Sequence, residues 1–206
     1  MQAASWNLGW IALAALWLGP LPDWAIDSFA AHMTLHMGVV AVAAPLLSIG
    51  IAGRRYDPVR FAPVLFAAVV ASVGELLVVW AWHTPGLHRW ARYDAAGFVA
   101  EQGSFLLAGM WVWLSAYGGA PRGQGRSAAG VLGLLLTSMH MTFLGALLAL
   151  SPRVLYRHPN SGGELTPLAD QHLGGAIMLV VGGASYLAGG LWLMRELVKP
   201  VRAGAK

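Results

Sequence analysis

Phe29-Ala30-Ala31-His32-Met33-Thr34-Leu35-His36-Met37 opens the stretch that decides the fold, because residues 29–52 run FAAHMTLHMGVVAVAAPLLSIGIA without a single Asp, Glu, Lys or Arg. At about 1.5 Å per residue such a run is long enough as a helix to cross a hydrocarbon core of about 30 Å. The same helix places His32 and His36 one turn apart on one face, with Met33 and Met37 beside them. Imidazole and thioether donors in an apolar setting are metal-binding chemistry.

The rest of the chain is of the same kind. It is 57% apolar and only 11% charged, with 10 Trp in 206 residues, which excludes an ordinary soluble core. Five further apolar stretches, residues 6–21, 61–82, 95–114, 128–150 and 172–194, bring the expected number of transmembrane helices to six. The expectation is therefore an all-α, polytopic integral membrane helical bundle forming one domain over residues 1–206. The first stretch is short and ends at Gly19-Pro20, with Trp6, Trp10 and Trp17 suited to the interface. No basic n-region precedes it, so it is read as a span and not as a cleaved signal. The segment 151–171, rich in Pro and Gly, reads as an irregular loop.

Basic residues set the orientation. One set of alternating connections holds Arg54, Arg55, Arg60, Arg122, Arg126, Arg195, Lys199, Arg202 and Lys206, and the other holds only Arg89, Arg92, Arg153 and Arg157. Both termini are expected in the cytoplasm. All seven histidines then fall in the outer half or on the outer surface. The scattered basic residues form no patch for nucleic acid. The chain has no cysteine, so it offers no thiolate site and no thioether-attached haem.

Two acids lie inside spans, Glu75 and Glu101, the latter followed by Gln102. An ionised carboxylate near mid-bilayer costs about 3 kcal/mol or more, so each is expected to face the bundle interior, either orienting a ligating histidine or simply hydrogen-bonded for packing. In the fifth span, Met139-His140-Met141 flanks an imidazole with two thioethers pointing about 100° to either side. Thioethers favour Cu(I) among the common metals, which directs the expectation to copper. His88 and His158 are read as loop residues, and His172 as opening the sixth span, where cap and water contacts are the simpler account. The Gly182-Gly183 and Gly189-Gly190 pairs read as close helix packing. There is no phosphate loop, His-Glu-x-x-His pair or nucleophile elbow, so no hydrolase or nucleotide enzyme is indicated.

In order along the chain, the Ala31–Met37 motif, Ala44-Pro45-Leu46-Leu47, Trp82-His83-Thr84-Pro85-Gly86-Leu87, Glu101-Gln102-Gly103-Ser104-Phe105-Leu106, Met139-His140-Met141-Thr142-Phe143-Leu144-Gly145, Leu155-Tyr156 and Asp170-Gln171-His172-Leu173-Gly174-Gly175 resemble the CtaG-like family of multispan cytochrome c oxidase assembly factors. One departure is that Gln102 stands where the family commonly has His. The resemblance implies a non-enzymatic protein of the bacterial inner membrane that helps mature a haem-copper oxidase. Its partners would be oxidase subunits or another copper chaperone.

On this reading His32, His36, His83 and His140 are metal ligands with Met33, Met37, Met139 or Met141 assisting. Glu75, Glu101, Gln102, Asp170 and His172 support them, the last two at the rim. The alternative is a haem b protein with bis-His ligation, using His36 with His140 or His32 with His83. A third reading, a transporter relaying ions through Glu75 and Glu101, would need a path through a cytoplasmic half that supplies no histidine.

Overall fold

The computed structural model describes residues 2–119, 124–156 and 165–198, and every regular element among them is helical. Nine α-helices follow one another: α1 (Gln2–Leu18), α2 (Leu21–Asp27), α3 (Phe29–Met37), α4 (Ala44–Ile51), α5 (Ala68–Trp82), α6 (Pro85–Tyr93), α7 (Ala95–Tyr117), α8 (Gln124–Ala149) and α9 (Pro167–Val198). A π-helical segment, Gly38–Ala43, fuses α3 to α4.

Three of these stretches are long and apolar enough to cross a membrane: Phe29–Ile51, Gln124–Ala149 and Pro167–Arg195. The α5–α6 pair, bent by 73°, makes a fourth if its two halves count as one span. The other two expected spans differ from these. α1 has 17 residues and rises about 26 Å, short of the hydrocarbon thickness. α7 has the length but carries Glu101, Gln102 and Ser104 inside it. The stretch expected to be helical from residue 61 is turned as far as Ala67, because Pro63 follows the short 3-10 turn Pro58–Arg60.

Pro45 accounts for the π segment. It has no N–H to offer Ala41, so the ladder widens and Ala44 N–H donates to Val39 O, five residues back. Two carbonyls are thereby released and both find partners on other helices. Trp113 Nε1 of α7 donates to Val40 O at 2.9 Å, and Ser185 Oγ of α9 donates to Ala41 O at 2.7 Å. The distortion thus pins the central span to both neighbours.

Close approach is set by glycine. An added Cβ on Gly9 of α1 would lie 2.7 Å from Leu47, and one on Gly175 of α9 would lie 2.4 Å from the backbone nitrogen of Ala149 in α8. Of the glycines read as packing contacts, Gly189 sits against Trp113 and Tyr117, while Gly183 and Gly190 face open space. At the opposite end of the bundle from the histidines, buried Asp57 accepts backbone N–H groups from Gly53 (2.6 Å), Val59 (3.0 Å) and Gly119 (2.6 Å). Gly53 and Gly119 have φ of 75° and 73°, the left-handed conformation that glycine adopts without strain.

Candidate metal centre

The site begins with the start of α3. Ser28 caps the helix, its Oγ accepting from Ala31 N at 3.2 Å, and Asp170 reaches across from α9 to complete the cap. One Asp170 oxygen accepts from Phe29 N at 2.6 Å, and the other accepts from Ser28 Oγ at 2.8 Å and Ala30 N at 3.1 Å. Backbone donors that α3 cannot satisfy internally are thus held by a carboxylate at the positive end of the helix. The turn that follows carries His32 and His36, both fully buried. Their rings are nearly parallel, at 9°, with centroids 6.4 Å apart.

His83 arrives from the end of α5. Its Nδ1 lies 2.6 Å from Val79 O. A carbonyl only accepts, so Nδ1 carries the proton and Nε2 keeps its lone pair. That Nε2 is buried and hydrogen-bonds to nothing among the described residues. The His83 ring centroid is 5.4 Å from that of His36 and 5.9 Å from that of His32.

The chain then breaks at Thr84-Pro85 and turns by 73° into α6. Its buried face comprises His88, Ala91 and Arg92, a one-sided helical spacing. His88 is therefore on a helix inside the bundle and not in an outer loop, and its ring centroid is 4.7 Å from that of His32.

Glu101 of α7 closes the fourth side. It pairs with Arg92, accepts from Gln102 Nε2 at 3.1 Å and lies 3.9 Å from His32 Nδ1. Gln102 in turn accepts from Trp17 Nε1 of α1 at 3.2 Å, so the amide links α1 to the acid. Ligand atoms of His32, His88 and Glu101 all lie within 4.8 Å of one another. A metal holding two imidazoles and a carboxylate at about 2.0–2.2 Å in tetrahedral geometry sets its donors about 3.4 Å apart, so these side chains would have to draw in by up to about 1.4 Å around a bound ion.

The charges in this pocket balance, because the Arg92 guanidinium offsets the Glu101 carboxylate. What is not balanced is hydrogen bonding. Both ring nitrogens of His32 and of His36, together with Glu101 Oε1, are buried without a hydrogen bond among the described residues. Each such group costs about 1–3 kcal/mol when left unsatisfied. Their convergence fits an ion-binding function.

Aromatic rings wall the site. Phe105 is 4.0 Å from His36, and Phe29 stacks on Tyr156 at 4.3 Å. Tyr156 also packs 4.5 Å from His88 and donates its hydroxyl to His83 O at 2.5 Å. Burial pushes the Tyr156 phenol above its ordinary pKa. Its segment is clamped by Gln171, which donates to Arg153 O at 3.1 Å and accepts from Leu155 N at 2.7 Å.

Other residues singled out in the sequence lie elsewhere. Met33 and Met37 turn toward α9, Met33 against Gly174 and the Met37 sulfur against Gly182, which also flanks Met141. Met139 is largely exposed. His140 lines a separate groove between α5 and α8. Glu75 is buried between helices, accepting from Tyr186 Oη at 3.0 Å. Asp170 and His172 are structural at this rim: Asp170 caps α3, and His172 Nε2 bonds Ser151 O at 2.8 Å, at the end of α8. His158 lies outside the described residues, as do Arg122, Arg157, Lys199, Arg202 and Lys206.

Sequence reasoning gave His88, Arg92 and Tyr156 no role in the site. Pro85 at a helix start followed by His88, Ala91 and Arg92 at spacings of three and four was the available signal.

A family model described as cytochrome c oxidase caa3 assembly factor (Caa3_CtaG) matches residues 1–199, nearly the whole chain. No curated protein and no solved structure matches it.

Proposed function

Because the chain belongs to the cytochrome c oxidase caa3 assembly factor family, we propose that it serves oxidase maturation by holding copper as cargo in the imidazole cluster of α3, α5 and α6. The observation that carries this reading is the convergence of unsatisfied nitrogens from His32, His36 and His83 beside His88 and Glu101. Imidazole accepts both oxidation states of copper. The buried Met33 and Met37 point to α9, so the donors are the imidazoles.

Because Arg92 already offsets Glu101, Cu(I) held by neutral imidazoles brings one further positive charge into the pocket, which the imidazole donors must stabilise. Arg92 competes with the metal for Glu101, which keeps the cargo exchangeable.

The membrane reading is that of the sequence: six crossings of a bacterial inner membrane, α1 and α7 included, with both termini cytoplasmic and the cluster in the outer half. Copper enters and leaves on that side through contacts with an oxidase subunit or a copper chaperone. Haem is disfavoured by packing: His32, His36 and His83 lie in ring contact with one another, with Phe105 against His36. That spacing accommodates an ion and leaves no slot for a macrocycle.

The test is metal content and Cu(I) competition with the purified protein in detergent. One copper per chain is expected, and the His32→Ala/His36→Ala double variant should fall to background. Unchanged copper in a folded double variant rejects the assignment.

A further inference from the structure

The groove that His140 lines is not part of the imidazole cluster. It has a volume of about 410 Å³ and is bounded by Val69, Ser72, Val73 and Leu76 of α5 and by Leu136, Met139, His140 and Phe143 of α8. Val69, Met139 and Phe143 on its rim are 51%, 61% and 57% exposed, so it opens sideways, toward lipid on the membrane reading.

His140 is itself only 8% exposed, and neither ring nitrogen has a hydrogen-bond partner among the described residues. Behind it, Ser72 accepts a hydrogen bond from Thr137 Oγ1 at 3.1 Å, and Glu75 and Tyr186 continue the polar track into the bundle. α5 and α8 thus each carry a polar pair at spacing three, Ser72 with Glu75 and Thr137 with His140, of which Ser72 and His140 line the groove. Polar side chains there are expensive inside a membrane and mark a site.

We propose that this groove binds a small lipophilic carbonyl compound of the quinone class, its ring head hydrogen-bonded to His140 and its tail leaving between the rim residues toward lipid. Three observations select that occupant.

First, the lining carries no charged group, so the head is neutral. Second, His140 is nine residues before the end of α8, about 14 Å down the helix. A phospholipid headgroup stays at the interface, whereas a quinone ring reaches that depth. Third, a neutral imidazole has one N–H donor and one bare acceptor nitrogen. It therefore serves a quinone carbonyl and a quinol hydroxyl equally. The volume admits a substituted ring with the start of its tail. The proposal is one of binding, with no electron transfer implied.

The test uses the full chain in quinone-free phosphatidylcholine nanodiscs with decylubiquinone as probe. Saturable one-to-one binding is expected, weakened at least tenfold by His140→Leu and partly restored by His140→Gln, which keeps a donor and an acceptor. Val73→Trp, which fills the groove and leaves the imidazole in place, should also abolish it. His36→Leu should leave it unchanged. If His140→Leu does not fold, Val73→Trp decides. Non-saturable partitioning alike in all variants overturns the proposal, and so does capture of another chain's transmembrane segment by a photocrosslinker placed at Met139 with no probe bound.

Discussion

Removing the Asp170 carboxylate should loosen the start of α3 and with it the platform of His32. In Asp170→Ala, three hydrogen bonds to a charged acceptor are lost. Bonds to charged groups contribute about 1.5–3 kcal/mol each, which sets a ceiling. Ser28 still caps Ala31 N, and water reaches part of the freed surface, so the expected loss is about 3 kcal/mol. For a chain of this size that is a fall in Tm of roughly 6–12 °C. Asp170→Asn keeps an acceptor without the charge and should lose about half as much. Thermal unfolding in detergent reads the loss, and hydrogen exchange over residues 28–37 locates it. A fall of less than about 2 °C in Asp170→Ala, or exchange raised everywhere except in α3, refutes the capping argument.

Arg92→Leu strands the Glu101 carboxylate in a buried site and should destabilise the protein by about 3–5 kcal/mol, while the Arg92→Leu/Glu101→Leu pair should recover much of that. Denaturant titration of the four proteins of this cycle measures the coupling, and additive losses would contradict a buried pair. Tyr156, whose folded pKa lies above its unfolded value near 10, stays protonated in the fold at pH values where the unfolded chain ionises. Its contribution is complete below about pH 10 and is lost as pH rises above that, so Tyr156→Phe should flatten the alkaline fall in stability. Equal pH profiles for the two proteins would count against its burial.

The sequence carried the helical class plainly, because uncharged apolar runs in Phe29–Ile51, Gln124–Ala149 and Pro167–Arg195 leave few alternatives in a membrane. It also carried the His32/His36 pair, since a four-residue spacing fixes a shared face. The turn into α6 was harder to see. His88 and Arg92 stand in a short, polar segment that reads as a surface connection until the bend at Thr84-Pro85 carries it against the bundle.

Asp170 was legible as a polar rim residue, but its task depends on α9 meeting α3, a contact separated by about 140 residues in the chain. Rotation about helix axes decided the rest. Period alone put Met33, Met37 and His140 near imidazoles, and packing turned the first two to α9 and the third to the α5–α8 groove. Pro45 is a local cause of the wide turn, whereas the bonds that Trp113 and Ser185 donate to the freed carbonyls belong to tertiary structure.

X-ray absorption at the copper edge of the Cu(I)-loaded protein addresses the cluster itself. The account predicts a nitrogen shell with the outer scattering pattern of imidazole and no sulfur shell, reduced in the His83→Ala and His88→Ala variants. A sulfur shell that persists through both substitutions would place the metal at the methionines and contradict it.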